Sequence, residues 1–268
     1  MPELGDLSMK EYEKKREDIR NETDGADDLI EGRNAVTEAL RSGRAIDRVF
    51  IADGDTDKAL SRLAAMARDA GAVVKTADRR KLDSMSRSGA HQGIIAFAAA
   101  HEYATVEDIL AVAEERGEAP LIVLCDELSD PHNLGAIIRS AECAGAHGVI
   151  IPKRRNVGLT AVVGKTSAGA LEYMKVARVS NLSSAIDTLK KRGIWVFGTA
   201  ASGDRTIYES DLKGPAAIVI GSEGYGMSRL VEESCDFRVR IPMKGNITSL
   251  NASAAAAILL YEAVRQRL

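Results

Sequence analysis

Two apolar segments near the C terminus each end in a polar, glycine-rich loop, and this arrangement most constrains the fold. Residues 217–220 (Ala-Ile-Val-Ile) run into Gly-Ser-Glu-Gly-Tyr-Gly, and residues 237–242 run into Met-Lys-Gly-Asn-Ile-Thr. The alanine-rich segment that follows has the composition of a long helix. Parallel α/β sheets bind their ligands in such loops, at the carboxyl ends of the strands. The pattern therefore predicts an α/β fold with its functional site in these loops.

The charge of the chain is unevenly distributed. Of the 268 residues 45% are hydrophobic, which is enough for a packed core, and the formal net charge is −3. Residues 1–28 contain five Lys/Arg and ten Asp/Glu, a net charge of −5, which leaves +2 for residues 29–268. A mildly basic folded part is compatible with a nucleic-acid partner.

Membrane and metal-binding classes are not indicated. No apolar run is long enough to span a membrane and the N terminus is polar, so we expect a cytoplasmic protein. The three cysteines, Cys125, Cys143 and Cys235, are widely spaced and form no metal-binding motif with the four histidines. We therefore expect reduced, mostly buried thiols and no metal ion.

Apolar periodicity divides the chain into segments. Residues 1–28 contain few large apolar side chains, which predicts an acidic, flexible extension. Strands and helices alternate over residues 29–102, which predicts a small α/β domain. The more polar residues 103–118, with a helix at Val106–Arg116, predict a linker. A second alternating series over residues 119–268 predicts a mostly parallel sheet with helices on both faces.

Three loops of the second domain carry residues suited to chemistry. In chain order, these residues are Asn133, Gly135 and Arg139, then Gly221, Glu223 and Gly226, then Ile241, Pro242, Met243, Ser249, Leu250, Asn251 and Ser253. The glycines of the second loop have the spacing G-x-x-G-x-G, not the G-x-G-x-x-G of a dinucleotide fold, and no phosphate-loop motif is present. A nicotinamide-dependent oxidoreductase or a nucleotide hydrolase is therefore a weak alternative.

Taken together, the three loops resemble the sequence motifs of the SpoU/TrmH-type RNA ribose 2'-O-methyltransferases of the SPOUT superfamily. They match Asn-x-Gly-x-x-x-Arg, Gly-x-Glu-x-x-Gly and Ile-Pro-Met…Ser-Leu-Asn-x-Ser in the order that the family has them. Each motif alone is weak, but the ordered set is specific. The resemblance implies a trefoil-knotted α/β catalytic domain (an α/β-knot), S-adenosylmethionine as cofactor, and a homodimer formed through the catalytic domain.

The beginning of the first domain extends this resemblance. Residues 29–36 (Leu-Ile-Glu-Gly-Arg-Asn-Ala-Val) are similar to the start of the L30e-like RNA-binding domain found in one branch of the family. Residues 29–268 then resemble the branch that methylates a guanosine ribose in 23S ribosomal RNA (rRNA). Two alternatives remain open: the same chemistry on transfer RNA (tRNA), or a non-catalytic RNA-binding protein of the same fold.

The resemblance also assigns the site residues. Its catalytic positions are Asn133, Arg139, Glu223, Ser249 and Asn251. Its cofactor contacts, made largely by the backbone, are Thr199, Ala200, Gly221, Ile241 and Leu250. Arg139 would act at the ribose hydroxyl, oriented by Glu223 and Asn251, as a base or as a positioning group. Positioning is favoured because a guanidinium loses its proton only with great difficulty. Helix capping alone could also explain Asn133.

RNA binding requires cations, and two clusters are candidates for phosphate contacts. They are Arg79, Arg80 and Lys81 in the first domain, and Lys153, Arg154 and Arg155 in the second. An ordinary solvated surface is the alternative for both. Only 4% of the residues are aromatic, so base stacking is expected to be limited, and loops such as residues 91–93 are expected to recognise RNA shape.

Overall fold

A computed structural model describes residues 29–54 and 57–268, which form two compact units. The described residues up to Ala100 belong to the first unit, and His101–Leu268 form the second. The extension predicted over residues 1–28 lies outside the described residues.

The first unit contains a four-stranded mixed sheet. Its strands are β1 (Leu29–Glu31), β2 (Ile46–Ala52), β3 (Val73–Ala77) and β4 (Ile94–Ala98), in the order β1-β4-β2-β3. Strands β2 and β3 are parallel, and the other two pairs are antiparallel. The helices are α1 (Arg33–Arg41), α2 (Lys58–Asp69) and α3 (Arg79–Met85). The small α/β domain that the sequence predicted is thus present.

The two faces of this sheet have separate cores, because side chains alternate along each strand. On one face, Val49 and Ile51 of β2 pack with buried residues of α1 and α2. On the other face, Phe50 packs with Phe97 of β4 and with Leu82 of α3. The central strands β2 and β4 therefore contribute to two apolar clusters.

The second unit is built on a seven-stranded sheet in which every strand pair is parallel. Its strands are β5 (Leu121–Cys125), β6 (Gly148–Pro152), β7 (Val176–Val179), β8 (Trp195–Thr199), β9 (Arg205–Thr206), β10 (Ala216–Ile220) and β11 (Phe237–Arg240). Their order is β7-β6-β5-β10-β8-β11-β9. This confirms the predicted parallel sheet. The knotted chain path that the resemblance implies stays a prediction.

Six helices cover this sheet among the described residues. They are α4 (Val106–Arg116), α5 (Pro131–Cys143), α6 (Ala161–Thr166), α7 (Leu182–Lys191), α8 (Arg229–Ser234) and α9 (Ala252–Arg267). Short 3-10 helices lie at Ala170–Glu172 and Ile207–Glu209. One face packs against α5, α6 and α9, and the other against α4, α7 and α8. Helices on both faces were predicted and are confirmed.

Helix α4 lies within residues 103–118, which the sequence analysis interpreted as a linker. Its Val106 and Ile109 are buried in the core of the second unit. Gly148 of β6 packs so closely that a Cβ there would lie 2.6 Å from Ile109 Cδ1. This helix is therefore a packed element of the second unit.

The cysteines differ from one another in exposure. Cys125 is buried and Cys235 is half-buried, as predicted, but Cys143 is exposed at the end of α5. Burial raises the pKa of Cys125 and of Cys235 to about 12, so both thiols stay protonated at neutral pH. Among the described residues, no helix is long and apolar enough to cross a membrane.

Candidate active site

Four neighbouring strands of the second sheet, β5, β10, β8 and β11, run parallel and end on the same side. Asp126, Gly221, Ala200 and Ile241 follow the last residue of the four strands. The loops that the sequence analysis selected therefore begin along one edge of one sheet, where open α/β folds place their ligands.

Three polar side chains from three separate motifs meet beside this edge. Asn133 Nδ2 donates a hydrogen bond of 2.9 Å to Glu223 Oε1. Asn251 Nδ2 lies 2.8 Å from Asn133 Oδ1 and 2.5 Å from Glu223 Oε1. Glu223 Oε1 also accepts from the backbone N of Ala252, at 3.3 Å. We call Asn133, Glu223 and Asn251 the polar triad.

Asn251 is a helix cap, whereas the capping alternative for Asn133 is incorrect. Asn251 Oδ1 caps α9 by accepting from the backbone N of Ser253 at 3.0 Å and of Ala254 at 3.2 Å. Helix α5, in contrast, is capped by Asp130, whose side chain accepts from the backbone N of His132 at 2.8 Å. Asn133 is only 6% exposed, and its amide is free to bond to the other two members of the triad.

Glu223 lies in a loop whose ends are tied together. The backbone N of Ser222 donates to Gly226 O, and the backbone N of Gly226 donates to Ser222 O, each at 2.9 Å. Gly221 fits under this closed loop, since a Cβ on it would lie 2.6 Å from Gly226 O. Glycine at position 221 is therefore required by close backbone approach.

Asp126, which belongs to none of the three motifs, joins β5 to the second loop. Its side chain is buried, and Oδ2 accepts from the backbone N of Ser228 at 2.7 Å and from Ser228 Oγ at 2.8 Å. Its own backbone N donates to Ile220 O at 2.8 Å. A carboxylate directly after a buried strand was the only available signal for it. Asp126 closes the far end of the loop that carries Glu223.

Arg139 and Ser249 do not join the polar triad. Both are exposed, and neither has a hydrogen bond or ion pair from its side chain among the described residues. The family resemblance implies that Glu223 and Asn251 orient Arg139, but in this structure both groups bind Asn133 instead. The guanidinium of Arg139 is thus available to an external anion or hydroxyl group.

Two of the five predicted cofactor residues lie at the carboxyl end of β8, Thr199 as its last residue and Ala200 directly after it, and both bind neighbouring strands. Thr199 Oγ1 donates to Val219 O at 2.8 Å, and the backbone N of Ala200 donates to Val239 O at 3.0 Å. These bonds occupy the Thr199 hydroxyl proton and the Ala200 amide. A bound molecule could use only the remaining backbone and hydroxyl oxygens of these two residues as acceptors.

Residues 241–250, which include the predicted cofactor residues Ile241 and Leu250, have free backbone donors. Within the described part of the chain, no backbone N–H of residues 241–250 donates a hydrogen bond. Apolar side chains of the same segment are exposed, Ile247 to 74% and Leu250 to 37%. Unpaired amides beside apolar side chains suit an adenosine, whose ring is apolar on its faces and accepts hydrogen bonds at its edge. The segment therefore fits S-adenosylmethionine.

The three residues of the basic cluster in the first unit differ in exposure. Arg79 and Arg80 are exposed in the first turn of α3. Lys81 is half-buried, and its Nζ lies 5.5 Å from the centre of the Phe50 ring.

The three residues of the basic cluster in the second unit differ in exposure and in ion pairing. Lys153 is half-buried and Arg154 is exposed. Arg155 Nη1 pairs with Glu127 Oε1 at 3.0 Å, and both residues have positive φ angles, 59° and 56°. Arg155 therefore connects the loops after β5 and β6, and part of its charge is already neutralised.

No group of three or more His, Cys, Asp or Glu side chains in the described ranges is arranged to hold a metal ion.

Comparison with known proteins is consistent with this geometry. Residues 120–261 match the SpoU rRNA methylase family, and residues 29–104 match a family described as RNA 2'-O ribose methyltransferase substrate binding. A Bacillus subtilis protein named as a TrmH family tRNA/rRNA methyltransferase is 48% identical over 240 residues, which cover 90% of this chain and 96% of that protein.

Two solved structures resemble both the sequence and the fold. An rRNA methyltransferase from Sinorhizobium meliloti, crystallised with S-adenosylmethionine, is 25% identical with a TM-score of 0.56, over 93% of this chain and 90% of that chain. A TrmH/SpoU tRNA-modifying enzyme of A. aeolicus is 30% identical with a TM-score of 0.51, over 56% of this chain and 76% of that chain. Together with the ordered motifs and the loops at one sheet edge, these matches show that the chain belongs to the SpoU/TrmH family of S-adenosylmethionine-dependent RNA methyltransferases.

Proposed function

We propose that this protein transfers a methyl group from S-adenosylmethionine to the ribose 2'-hydroxyl of a guanosine in 23S rRNA. One observation favours rRNA over tRNA. The likeness to the S. meliloti rRNA methyltransferase extends over 93% of the chain, whereas the likeness to the A. aeolicus tRNA-modifying enzyme covers 56%. We also propose that the protein acts in the cytoplasm, where rRNA and the cofactor are both present.

The polar triad acts in this proposal by fixing the start of helix α5. Asn133 and Arg139 are six positions apart on α5, a rise of about 9 Å along the helix. Once Asn133 is held by Glu223 and Asn251, the position of Arg139 on the rigid helix is determined as well. Geometric control of this kind accounts for much of the rate increase when two reactants must be aligned.

Arg139 is proposed to bind the ribose or an adjacent phosphate of the RNA. Its planar guanidinium can donate two parallel hydrogen bonds to oxygen atoms of a phosphate or a ribose. The cofactor supplies an activated methyl group on a sulfonium sulfur. The task of the chain is to hold the hydroxyl oxygen in line with that group, and Arg139 performs it as a positioning group for the substrate.

We further propose a homodimer formed through the second unit. Large apolar side chains are exposed on the site loops and on α9, including Tyr225 at 93%, Ile247 at 74% and Tyr261 at 51%. Exposed apolar groups of this size are typical of protein interfaces. A dimer predicts twice the monomer mass in sedimentation at micromolar concentration, and a monomer there would contradict this proposal.

The first experiment offers labelled S-adenosylmethionine and the full chain to unmodified rRNA and to tRNA in separate reactions. We expect label at one position of 23S rRNA, mapped as a 2'-O-methylated guanosine. Label in tRNA alone would reject the proposed substrate and leave the chemistry intact. The absence of label in both, with the cofactor bound, would reject naked RNA as the substrate.

Arg139→Ala tests the proposed role of the arginine. We expect methyl transfer to fall by about 100-fold or more, the size of effect that follows when two reactants are no longer held in line. Stability and cofactor affinity should stay near wild type, because Arg139 is exposed and its side chain has no partner among the described residues. Arg192→Ala, at an exposed position after α7, is the matched control. Wild-type turnover of Arg139→Ala would remove this residue from the mechanism.

A further inference from the structure

The mixed sheet of the first unit is covered differently on its two faces. Helices α1 and α2 pack against one face. On the opposite face, among the described residues, only α3 contributes buried helical side chains to the cluster around Phe50 and Phe97. Helix α3 has seven residues and is too short to cover a whole sheet face.

Cationic side chains lie over the aromatic rings of that second face. The guanidinium carbon of Arg48 is 5.3 Å from the centre of the Phe97 ring. Lys75 Nζ and Lys81 Nζ are 5.7 Å and 5.5 Å from the centre of the Phe50 ring. The rings themselves contact each other edge to face, with centres 5.9 Å apart. We call Arg48, Lys75 and Lys81 the cationic sheet face.

The nature of this surface indicates which partner it suits. Phe50 is 1% and Phe97 is 5% exposed, so the rings offer little apolar area to a protein helix. Long cationic side chains can bury their apolar stems on such rings and keep their charged ends at the surface. Arg48 has no hydrogen bond or ion pair among the described residues that would neutralise its charge. A row of positive groups on an aromatic base is suited to a polyanion.

We propose that the cationic sheet face binds phosphodiester groups of the RNA substrate, in addition to Arg79 and Arg80 at the start of α3. Because Lys81 belongs to both sets, the face continues the basic cluster from α3 onto strands β2 and β3. This inference rests on the proposed function, since it requires an RNA substrate. Its contribution is sequence-independent: such contacts orient an RNA and do not read its bases.

The test compares two variants of the full chain that lose the same charge. One is Arg48→Gln with Lys75→Gln on the cationic sheet face. The control is Arg62→Gln with Arg68→Gln, at exposed positions of α2 on the other side of the same sheet. RNA affinity is measured by filter binding to an rRNA fragment between about 50 and 300 mM salt, the range over which phosphate contacts are lost. The slope of log affinity against log salt is negative, and the first variant should make it less steep by about 1.4 to 1.8. The control should leave the slope unchanged.

A charge-conserving exchange separates charge from packing. Arg48→Lys with Lys75→Arg should retain the wild-type slope, because each phosphate contact needs only a cation. If this exchange makes the slope as shallow as the neutral variant does, packing on the rings and not phosphate binding explains the result. An unchanged slope in the neutral variant would also overturn the proposal. The same two substitutions can also be made in a chain that lacks residues 1–28. If they change the slope only there, the acidic extension and not RNA occupies the face in the full chain.

Failure of the cationic sheet face to bind RNA can be distinguished from failure of the proposed function. The binding slope is measured without cofactor and does not depend on methyl transfer. A wild-type chain that methylates rRNA, together with a neutral variant of unchanged slope, would reject the cationic sheet face alone. If neutralising Arg48 and Lys75 changes the slope but the wild-type chain transfers no methyl group, the proposed reaction alone is rejected.

Discussion

At the scale of single residues, the site depends on how each polar side chain satisfies its hydrogen bonds. Asn133 and Asn251 both lie near the start of a helix, and residue type alone allows each of them to be a cap. Only Asn251 is one, because Asp130 already caps α5. The amide of Asn133 is therefore left for Glu223 and Asn251. A buried asparagine with both ends of its amide bonded fixes one arrangement of its surroundings.

Asn133→Asp tests the polar triad. The change keeps the shape of the side chain but replaces the donor to Glu223 with a second carboxylate. We expect a loss of about 1–3 kcal/mol in unfolding free energy, the cost of an unpaired buried polar group, and a loss of methyl transfer. Adding Glu223→Gln should restore part of both, since the new amide at position 223 could then donate to the new carboxylate at position 133. Chemical denaturation of the two single variants and the double variant measures this coupling. Additive losses would show that the two side chains do not interact.

Glu31 in the first unit predicts a pH-dependent contribution to stability. Burial alone would raise its pKa, but hydrogen bonds from Ser86, Arg87 and Ser88 outweigh burial and lower the pKa to about 2. The distances are 2.9 Å from the backbone N of Arg87 and 2.7 Å from Ser88 Oγ. Because the folded pKa lies below the ordinary value of 4.5, Glu31 stabilises the fold above about pH 4.5 and loses this effect as the pH falls towards 2.

Glu31→Gln should therefore lower the stability of the first unit at pH 7 by about 1–3 kcal/mol, because backbone donors lose a charged acceptor. The difference from wild type should shrink as the pH falls below about 4.5, the ordinary pKa of a glutamate. Melting curves of both proteins between about pH 3 and pH 7 measure it. A difference that is constant over this range would mean that the carboxylate charge is not involved.

At the scale of elements, apolar periodicity predicted most helices and strands, and the errors have physical causes. The helix with Leu60, Leu63, Ala64 and Ala67 on one face is present, and all four residues are buried. Strand β9 was not predicted, because two residues, Arg205 and Thr206, are too few to show alternation. Its pairing with β11 is decided by the neighbouring chain and not by local sequence.

Gly135 shows how a motif glycine serves packing between elements. A Cβ on this residue of α5 would lie 2.8 Å from Thr166 Cβ and 2.9 Å from Val163 O of α6. Gly135→Ala should force the two helices apart, cost about 1–3 kcal/mol, and reduce methyl transfer because Asn133 is on the same helix. Gly164→Ala on α6, where a Cβ would meet His101 at 3.5 Å, should be tolerated. Thermal denaturation compares them, and equal stability of the two variants would contradict the close contact.

At the scale of the whole molecule, each unit has its own sheet and its own apolar clusters. A separately produced fragment of residues 101–268 should therefore fold cooperatively and bind S-adenosylmethionine with an affinity within about threefold of the full chain, as independent domains usually do. Its methyl transfer to rRNA should be at least about tenfold lower, because the unit that matches the substrate-binding family and the phosphate contacts proposed for it are missing. Calorimetric titration and a labelled transfer assay test both statements. A fragment that is unfolded at room temperature would show that the second unit depends on the first.

The class of fold, the division into two α/β units, the three motifs and the family follow from the amino-acid sequence alone, because these depend on local periodicity and on residues close together in the chain. The strand order β7-β6-β5-β10-β8-β11-β9 cannot be read from local patterns. Neither can the contacts of Asn133 with Glu223 and Asn251, which are 90 and 118 positions away. The same is true of Asp126, and of Arg139, which lies outside the network expected to hold it. The reason is physical: a local pattern specifies which face of an element is apolar, whereas the polar partners of a side chain depend on which elements become neighbours when those faces are buried together.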